Sequence, residues 1–257
     1  MSPPEFNLSL TPTPPVRSIA DERAHRKQRL AGACRAFAQN GFDRGLAGHV
    51  TARDPGRPDC FWVNPIGVPL SHMRASWLLL VHENGEVLEG ERPLAPAAFA
   101  IHSVIHRIRP DVVAAVHMHS VYGRAFSTLG KLIDPLTQDA CAFYEDHVLF
   151  DSYAGPVFEI DESERIARTL GGAKAAILKS HGLLTVGQSV EEAAWWFISM
   201  DDVCRVQLLA EAAGKPQPID PATARRTAEV NGSPYSGRVV FETLFEKLAR
   251  EQPDLLN

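Results

Sequence analysis

The segment VVAAVHMH, residues 112–119, most constrains what this chain can fold into. Its apolar run is typical of a buried strand, in which successive side chains point to opposite faces. His117 and His119 are therefore predicted on one face, and Val116 and Met118 on the other. Two imidazoles at one strand end can converge on a single ion.

Composition limits the kind of protein that this is. With 257 residues, 45% of them hydrophobic, the chain can bury the core of one main domain. The net charge of −5 is spread along the chain without a basic run, so nucleic acid is not an expected partner. The start of the chain has no signal-peptide pattern and no segment is apolar enough to span a bilayer, which predicts a cytoplasmic protein without a membrane partner.

Four cysteines stand far apart in the sequence without a CxxC pair. Such spacing indicates neither a zinc knuckle nor a disulfide framework. We expect small buried side chains or free thiols at these positions.

The order of patterns along the chain predicts three regions. Residues 1–20 form a flexible Pro-rich arm, residues 21–213 the main domain, and residues 214–257 a linker with a helical tail that has no obvious place in the core. Within the main domain a helix is expected over residues 21–40 and a hairpin at Asn84-Gly85. Ser189 and Glu192 form a capping box for a long helix that extends to about Ala213.

A third histidine follows a second apolar segment, AKAAILKSHGLLTVG, interpreted as one strand that carries His181 and is broken at Gly182. His117, His119 and His181 together make a plausible three-imidazole site for a divalent ion with open positions for substrate or water. The alternative is that they are surface residues or hydrogen-bonded histidines of the core.

At this point the chain resembles the class II aldolase/adducin family. The resemblance extends from about residue 22 to residue 213 and rests on the ordered segments LAGHVTARDP, VNPIG, HSVIHRIRPDVVAAVHMHS and AAILKSHGLLTVG. It implies an α/β fold, a class II aldolase-like three-layer α/β/α arrangement with a mainly antiparallel central sheet. It also implies that His117, His119 and His181 bind a divalent metal (Zn, Fe(II) or Mn), and that the chain forms a ring-like homo-oligomer, commonly a tetramer.

Two departures from the family pattern concern phosphate and proton transfer. Sugar-phosphate aldolases of the family carry a Ser-Ser-Glu segment where this chain has Pro96-Ala97-Ala98. Proline and alanine have no side-chain donor for an oxyanion, and alanine cannot carry a proton. The family's Gly-Asn phosphate pair is replaced by Gly48-His49. The sequence therefore predicts a non-phosphorylated substrate, and His49 remains able to bind a carboxylate.

Other side chains must then supply the missing chemistry. Glu145 is the first candidate for a fourth metal ligand or an acid/base, with Tyr144 and His147 beside it; a surface carboxylate is the alternative. His102 and His106 are one helical turn apart, a spacing that can bind metal, although packing or support of the ligands is the expected role of His102. The candidate substrate-binding residues are His49, Asn64, Phe99 and His102.

Aromatic side chains leave the nature of the substrate open. Phe61, Trp62, Phe99 and Phe143 line either a cavity suited to an aromatic substrate or the ordinary core, and the core is favoured. Because the tail lacks a place in the core, Tyr235 and Arg238, or groups of a neighbouring subunit, are candidates to close the pocket.

Three functions remain from the sequence. The first is a divalent-metal-dependent carbon–carbon lyase, of the aldolase or decarboxylase type, that acts beside a carbonyl or carboxylate of a non-phosphorylated hydroxy or keto acid, with aromatic acids among the candidates. The second is a non-haem Fe(II) oxygenase that performs oxidative decarboxylation, in which Glu145 completes the usual two-histidine, one-carboxylate set. The third is a non-catalytic adducin-like interaction module, against which the intact histidines argue.

Overall fold

The computed structural model describes residues 15–46, 48–155 and 160–257. The predicted Pro-rich arm therefore lies largely outside the described residues. Within them are seven α-helices: α1 Ile19–Gln39, α2 Pro96–Ile108, α3 Val121–Ser127, α4 Ile160–Leu170, α5 Val190–Ala213, α6 Pro221–Asn231 and α7 Pro234–Glu251. The eight strands of the described chain are β1 His49–Arg53, β2 Cys60–Val63, β3 Leu79–His82, β4 Val87–Glu89, β5 Ala114–Met118, β6 His147–Phe150, β7 Ala175–Leu178 and β8 Gly182–Gly187.

The strands form one sheet in the order β4-β3-β2-β1-β5-β8-β7-β6. The pair β6–β7 is parallel, and the other neighbouring pairs are antiparallel. The mainly antiparallel sheet expected from the sequence is confirmed. In the centre of the sheet, His49 of β1 is opposite His117 of β5, which in turn is opposite Leu184 of β8.

Strand β5 alternates as its sequence predicts. Val116 and Met118 belong to the apolar cluster that includes side chains of α1 and α5. Ala115 belongs to a second cluster, with Ile101 and Val104 of α2. Since both sides of β5 are covered by apolar atoms, its register is strongly determined.

Local start signals fix the long helix α5. The hydroxyl of Ser189 accepts a hydrogen bond from the Glu192 N–H at 3.1 Å, and the Glu192 carboxylate accepts one from the Gln188 N–H at 3.1 Å. The predicted capping box is confirmed, and the helix ends at Ala213. The hairpin expected at Asn84-Gly85 is also present, between β3 and β4.

The expectation that the C-terminal tail has no place in the core is wrong. Phe241 and Leu248 of α7 are completely buried in the cluster that contains α1 and α5. Gly32 of α1 makes room for Phe245, because a Cβ at that position would lie 2.5 Å from the Phe245 ring. Helix α7 therefore completes the hydrophobic core of its own chain.

The segment around His181 is two strands rather than one. Strands β7 and β8 are antiparallel, with Leu178 opposite Gly182, so the chain reverses over residues 179–181. The break predicted at Gly182 is thus a hairpin loop, and His181 lies in it. The four cysteines are buried and free, and none of the described helices is long and apolar enough to cross a membrane.

Candidate metal centre

Three imidazoles meet at one end of the sheet. The nitrogens that His117, His119 and His181 offer all lie within 4.8 Å of one another. The ring centroids are 4.6 Å apart for His117 and His181, 4.9 Å for His119 and His181, and 5.1 Å for His117 and His119. His117 is 1% exposed, whereas the other two are half-buried, so the cluster opens to solvent on one side.

The orientation of His117 is fixed by a main-chain acceptor. Its Nδ1–H donates to the Leu183 carbonyl at 2.8 Å. Because a neutral imidazole carries one N–H, the bond leaves the Nε2 lone pair free. Metal-binding histidines usually donate the N–H of one ring nitrogen to a carbonyl or carboxylate, which orients the other nitrogen toward the metal.

The β7–β8 loop places His181. Its N–H donates to the Leu178 carbonyl at 3.0 Å, which closes the turn. Ser180 has the left-handed backbone conformation, with φ of 56°, and its N–H donates to the Ser127 carbonyl at 3.3 Å. The three-residue loop with one left-handed residue is a common hairpin connection, so the position of His181 follows from turn geometry.

Burial keeps these imidazoles neutral. It lowers the pKa of His117 far below the usual histidine value, and it lowers the pKa of His181 to about 4. The pKa of His119 is also lowered, first by burial and then by the positive charge of Arg124. Neutral imidazoles are the form that binds metal, so the ligand set is ready at neutral pH. Three neutral nitrogens within reach of one ion fit Zn²⁺, Mn²⁺ or Fe²⁺.

The permanent charge that acts on the neutral cluster is positive, that of Arg124. The pKa values of its three histidines are shifted by one another, by His49 and by Arg124, and not by a carboxylate. Arg124 lies on α3, close to the main chain at Gly182, and its one side-chain hydrogen bond among the described residues is a long one to the Ser120 carbonyl at 3.4 Å. Its guanidinium remains free to pair with an anion.

A second group of histidines lies behind the first. The His49 ring is 5.1 Å from the His117 ring, and its Nδ1 is 2.6 Å from Nε2 of His102. Nδ1 of His102 is 2.6 Å from the Thr51 hydroxyl, which is 2.9 Å from Nε2 of His106. Both nitrogens of His102 are thus engaged within the protein. These bonds also engage Nε2 of His106. Within the described chain His102 supports His49, and the substrate contact of His102 stays a prediction.

The residues predicted to be catalytic lie at the other end of the sheet. His147 begins β6 opposite Ala175, the first residue of the parallel strand β7, whereas His181 follows the last residue of β7. Strands rise about 3.3 Å per residue, so this separation along the sheet is about 10 Å or more. The placement of these residues at the cluster within one chain is therefore corrected.

Their own contacts explain what they do instead. The Glu145 carboxylate is exposed and accepts two hydrogen bonds from Arg225 of α6, at 2.6 and 3.0 Å. His147 donates from Nδ1 to the Phe143 carbonyl at 2.6 Å and accepts at Nε2 from the Ile133 N–H at 2.9 Å. Arg225 also lies 5.8 Å from the centre of the Tyr144 ring. These side chains hold the tail and a loop in place.

Asn64 and Phe99 have structural roles in the described chain. Asn64 Oδ1 accepts from the Val50 N–H at 2.8 Å, and its amide nitrogen donates to the Gly48 carbonyl at 3.4 Å. It therefore positions the start of β1, and with it His49. Phe99 packs against the β3–β4 turn, where a Cβ on Gly85 would lie 3.3 Å from its ring.

The aromatic side chains mostly confirm the core alternative. Phe61, Trp62 and Phe143 are almost completely buried. Phe61 stacks on His106 with 5.3 Å between ring centroids, and the Trp62 N–H donates to Asp54 at 2.9 Å.

Tyr235 and Arg238 are also distant from the cluster in their own chain. Both line a cavity with Val113 and Ser189, and Val113 directly precedes β5 at the end opposite His117. Arg238 donates to Glu192 at 3.0 Å. Within one chain, the tail does not close the pocket.

Sequence reasoning missed two residues near the cluster, Arg124 and Thr51, and it noted a third, Tyr153, without giving it a role. Arg124 lies in the first turn of the helix that follows the His-x-His segment, so its closeness in sequence to the histidines could have predicted a cation near the cluster. Tyr153, with its ring 6.4 Å from that of His181, follows β6 at the correct end of the sheet. Thr51 gives no local signal, because its role depends on how β1 packs against α2.

Comparison with known proteins agrees with this geometry. Residues 28–208 match the family described as the class II aldolase and adducin N-terminal domain. The chain is 48% identical to a protein named decarboxylase NovR from Streptomyces niveus, over 94% of this chain and 91% of that protein. It is 47% identical to 4-hydroxy-3-prenylphenylpyruvate oxygenase/4-hydroxy-3-prenylbenzoate synthase from Streptomyces roseochromogenus subsp. oscitans, over 94% and 88% of the two chains.

A solved structure supports the fold over nearly the whole chain. The L-fuculose 1-phosphate aldolase from Glaciozyma antarctica PI12 is 41% identical and superimposes with a TM-score of 0.89. The match covers 96% of this chain and 97% of the other.

Removal of any one of the three imidazoles should remove most of the bound metal. We expect the purified His117→Ala, His119→Ala and His181→Ala variants to contain far less than one divalent ion per chain, because two imidazoles hold such an ion much more weakly than three. Elemental analysis after dialysis against Zn²⁺ and gel filtration measures this. His82→Ala, on β3 beside Asp59, is the matched control and should keep its metal. Full occupancy in a His117→Ala, His119→Ala double variant would contradict the site.

Proposed function

The chain belongs to the class II aldolase and adducin family, and from that membership we propose that it is a divalent-metal-dependent lyase of the aldolase or decarboxylase type. It breaks a carbon–carbon bond beside the carbonyl or carboxylate of a non-phosphorylated, aromatic hydroxy or keto acid. The observation that carries the proposal is a cluster of three neutral imidazoles open to solvent on one side, influenced by a free guanidinium and by no carboxylate.

His117, His119 and His181 would hold the metal, with Nε2 of His117 directed by its bond to Leu183. A divalent ion supplies a Lewis acid that stabilises the negative charge developing on the substrate oxygen as the bond breaks. In decarboxylation the carboxylate carbon leaves as CO₂, and the bonding electron pair stays on the neighbouring carbon until a proton replaces the lost group. The half-buried side of the cluster leaves room for the acid to approach.

The charge of the site supports an acidic substrate. Without a nearby carboxylate, a divalent ion and Arg124 would together leave several positive charges uncompensated. A substrate carboxylate beside Arg124 can accept two parallel N–H bonds, the geometry for which a guanidinium is suited.

The start of α2 supports a substrate without phosphate. Residues 96–98 offer no hydroxyl or amide side chain, and Ala98 is completely buried. One of the solved relatives is named a sugar-phosphate aldolase, so this departure has to be tested directly. The relative named a decarboxylase is similar over nearly its full length, which supports loss of a carboxylate.

Oxidative decarboxylation is the second candidate, because another relative is named an oxygenase of a prenylated phenylpyruvate. Three imidazoles with open positions also suit Fe(II). In this reaction the acid loses CO₂ while O₂ is consumed. Glu145 does not complete the ligand set within one chain, since it lies at the opposite end of the sheet.

One assay separates these functions. The protein, purified without oxygen and loaded with Zn²⁺, Mn²⁺ or Fe²⁺, is given carboxyl-labelled phenylpyruvate, 4-hydroxyphenylpyruvate or phenyllactate, and released CO₂ is counted. Release without O₂ supports the lyase. Release only with Fe²⁺ and O₂ supports the oxygenase. Efficient cleavage of L-fuculose 1-phosphate, or no turnover of any of the acids, would show the proposal to be wrong. The His117→Ala, His119→Ala double variant is the inactive control.

Arg124→Gln should weaken binding of the acid. A hydrogen bond to a charged group contributes about 1.5–3 kcal/mol, so we expect KM for the acid to rise by about 10- to 100-fold with a smaller change in kcat. Arg168→Gln, which removes an exposed arginine of α4 that pairs with Glu164, is the matched control. An unchanged KM in Arg124→Gln would remove this residue from the site.

We also propose that the chain forms a homo-oligomer, with a tetramer as the expected form. The family resemblance suggests it, and exposed apolar side chains flank α3 beside the cluster, Val121 at 38% and Leu129 at 46% exposure. Light scattering on the purified protein should give about four times the chain mass of 28.2 kDa. A monomeric mass at assay concentration would contradict this arrangement.

A further inference from the structure

A chain of four buried side chains leads from the candidate metal centre into the protein. It runs from His49 to His102, then to the Thr51 hydroxyl and then to His106, with donor–acceptor distances of 2.6, 2.6 and 2.9 Å. His49 and Thr51 are two residues apart on β1, so their side chains lie on the same face of the strand. His102 and His106 are one turn apart on α2. Strand and helix periodicity thus place four polar groups in a row between two elements.

The chemistry of these groups limits the order of their hydrogen bonds. All three imidazoles are buried, and their partners among the described residues are one another and the Thr51 hydroxyl, with no carboxylate, so all three are neutral. A neutral imidazole has one N–H and one lone pair, and Thr51 has one O–H to donate. If the Thr51 O–H donates within the row, every bond points away from His49 or every bond points toward it. The third order, in which the Thr51 oxygen accepts from both histidines, leaves a buried O–H without an acceptor, which is costly.

The far end of the row favours the first order. Nδ1 of His106 has no partner with hydrogen-bond geometry, but the Val112 carbonyl acts on the ring and raises the His106 pKa, against the larger lowering by burial and by Arg53. A carbonyl can only accept, so it favours an N–H at Nδ1. Nε2 of His106 is then the acceptor of the Thr51 hydroxyl.

The near end of the row favours the same order. Nε2 of His49 has no hydrogen-bond partner among the described residues, and the atom is not fully enclosed by protein. The centroid of the His49 ring is 5.1 Å from that of the His117 ring. A positive ion at the three-histidine cluster attracts a lone pair and repels an N–H dipole at this position.

We propose that Thr51 and His106 are positioning residues that act through His102 to hold His49 as the Nδ1–H tautomer, so that Nε2 of His49 presents a bare lone pair to the substrate. A bare nitrogen accepts a hydrogen bond but cannot donate one. Nε2 of His49 therefore recognises a substrate that carries a hydroxyl group close to the atoms that bind the metal, as a hydroxy acid does. This role in turnover rests on the proposed function, whereas the tautomer itself can be measured without activity.

Nitrogen NMR tests the tautomer directly. Protein with ¹⁵N-labelled histidine is measured metal-free and with Zn²⁺ alone at pH 7.5, and the His49 signals are assigned with His49→Gln. We expect a protonated Nδ1 and a bare Nε2 in both samples. A proton on Nε2 of His49 in the Zn²⁺ sample overturns the proposal.

Two variants test the cause of this tautomer. Thr51→Val removes the hydroxyl at nearly constant shape, and His106→Phe removes the last acceptor while keeping a ring to stack on Phe61. In both, the order that points away from His49 leaves a buried N–H or O–H without an acceptor, whereas the opposite order need not, so the His49 proton should shift toward Nε2. Thr51→Ser keeps the hydroxyl and should keep the wild-type tautomer. If the variants that fold leave His49 unchanged, the row does not control it.

Kinetics give a separate readout. Thr51→Val should lower kcat for the acid by about 10- to 100-fold, the usual effect of removing support from a functional histidine, while zinc content is unchanged. Thr51→Ser should recover most of this loss; equal losses in the two variants would contradict a role for the hydroxyl. If the protein turns over the acid but NMR finds a proton on Nε2 of His49, this inference is wrong and the proposed function stands. If NMR finds a bare Nε2 but no acid is turned over, the proposed function is wrong and the tautomer assignment stands.

Discussion

The register of three antiparallel strands is the constraint on which the rest of the site depends. His49, His117 and Leu184 stand in one row across β1, β5 and β8. A shift of one residue in either pairing would turn the imidazoles to the opposite face, into the apolar cluster that contains Met118. Both faces of β5 are covered by apolar side chains, so such a shift would expose buried surface and bury the imidazoles without partners. The hydrophobic core thereby maintains the geometry of the candidate metal centre.

At this end of the sheet the histidines are buried without carboxylate partners, and this keeps them neutral. Six histidines at this end of the sheet, on β1 and α2, at the end of β5 and in the β7–β8 loop, have lowered pKa values, mainly because burial disfavours the charged form. A neutral imidazole can bind a cation through one nitrogen, and it can also transmit hydrogen-bond direction through two. Loss of hydration thus keeps both groups of histidines neutral, the three candidate metal ligands and those of the row formed by His49, His102, Thr51 and His106. A divalent ion would then supply the dominant charge, which favours an anionic substrate.

The sequence predicts the local features of the site well and its long-range features poorly. The alternation of β5, the capping box of α5 and the convergence of His181 all follow from periodicity, turn chemistry and a family resemblance. The misplacement of Glu145 and His147 has a topological cause. Strand β6 runs parallel to β7, so its first residues lie at the end of the sheet away from His181, and no local pattern reports which end of a distant strand is nearby. Thr51 was missed for a similar reason, since its partners come from α2, about 50 residues later.

The packing of Ala98 explains why a proton-carrying carboxylate has no place at the start of α2 in this chain. Ala98 is fully buried against Phe61, Val63, Leu79 and Val81, an apolar cluster that leaves no polar partner for a carboxylate. A charged side chain at this position would lose its hydration without a compensating bond, at a cost of several kcal/mol. One turn later, His102 faces His49 and Thr51 instead. Helix α2 therefore presents apolar atoms to β2 and β3 and imidazoles to β1, and the polar groups that α2 brings near the cluster belong to the row that ends at His49.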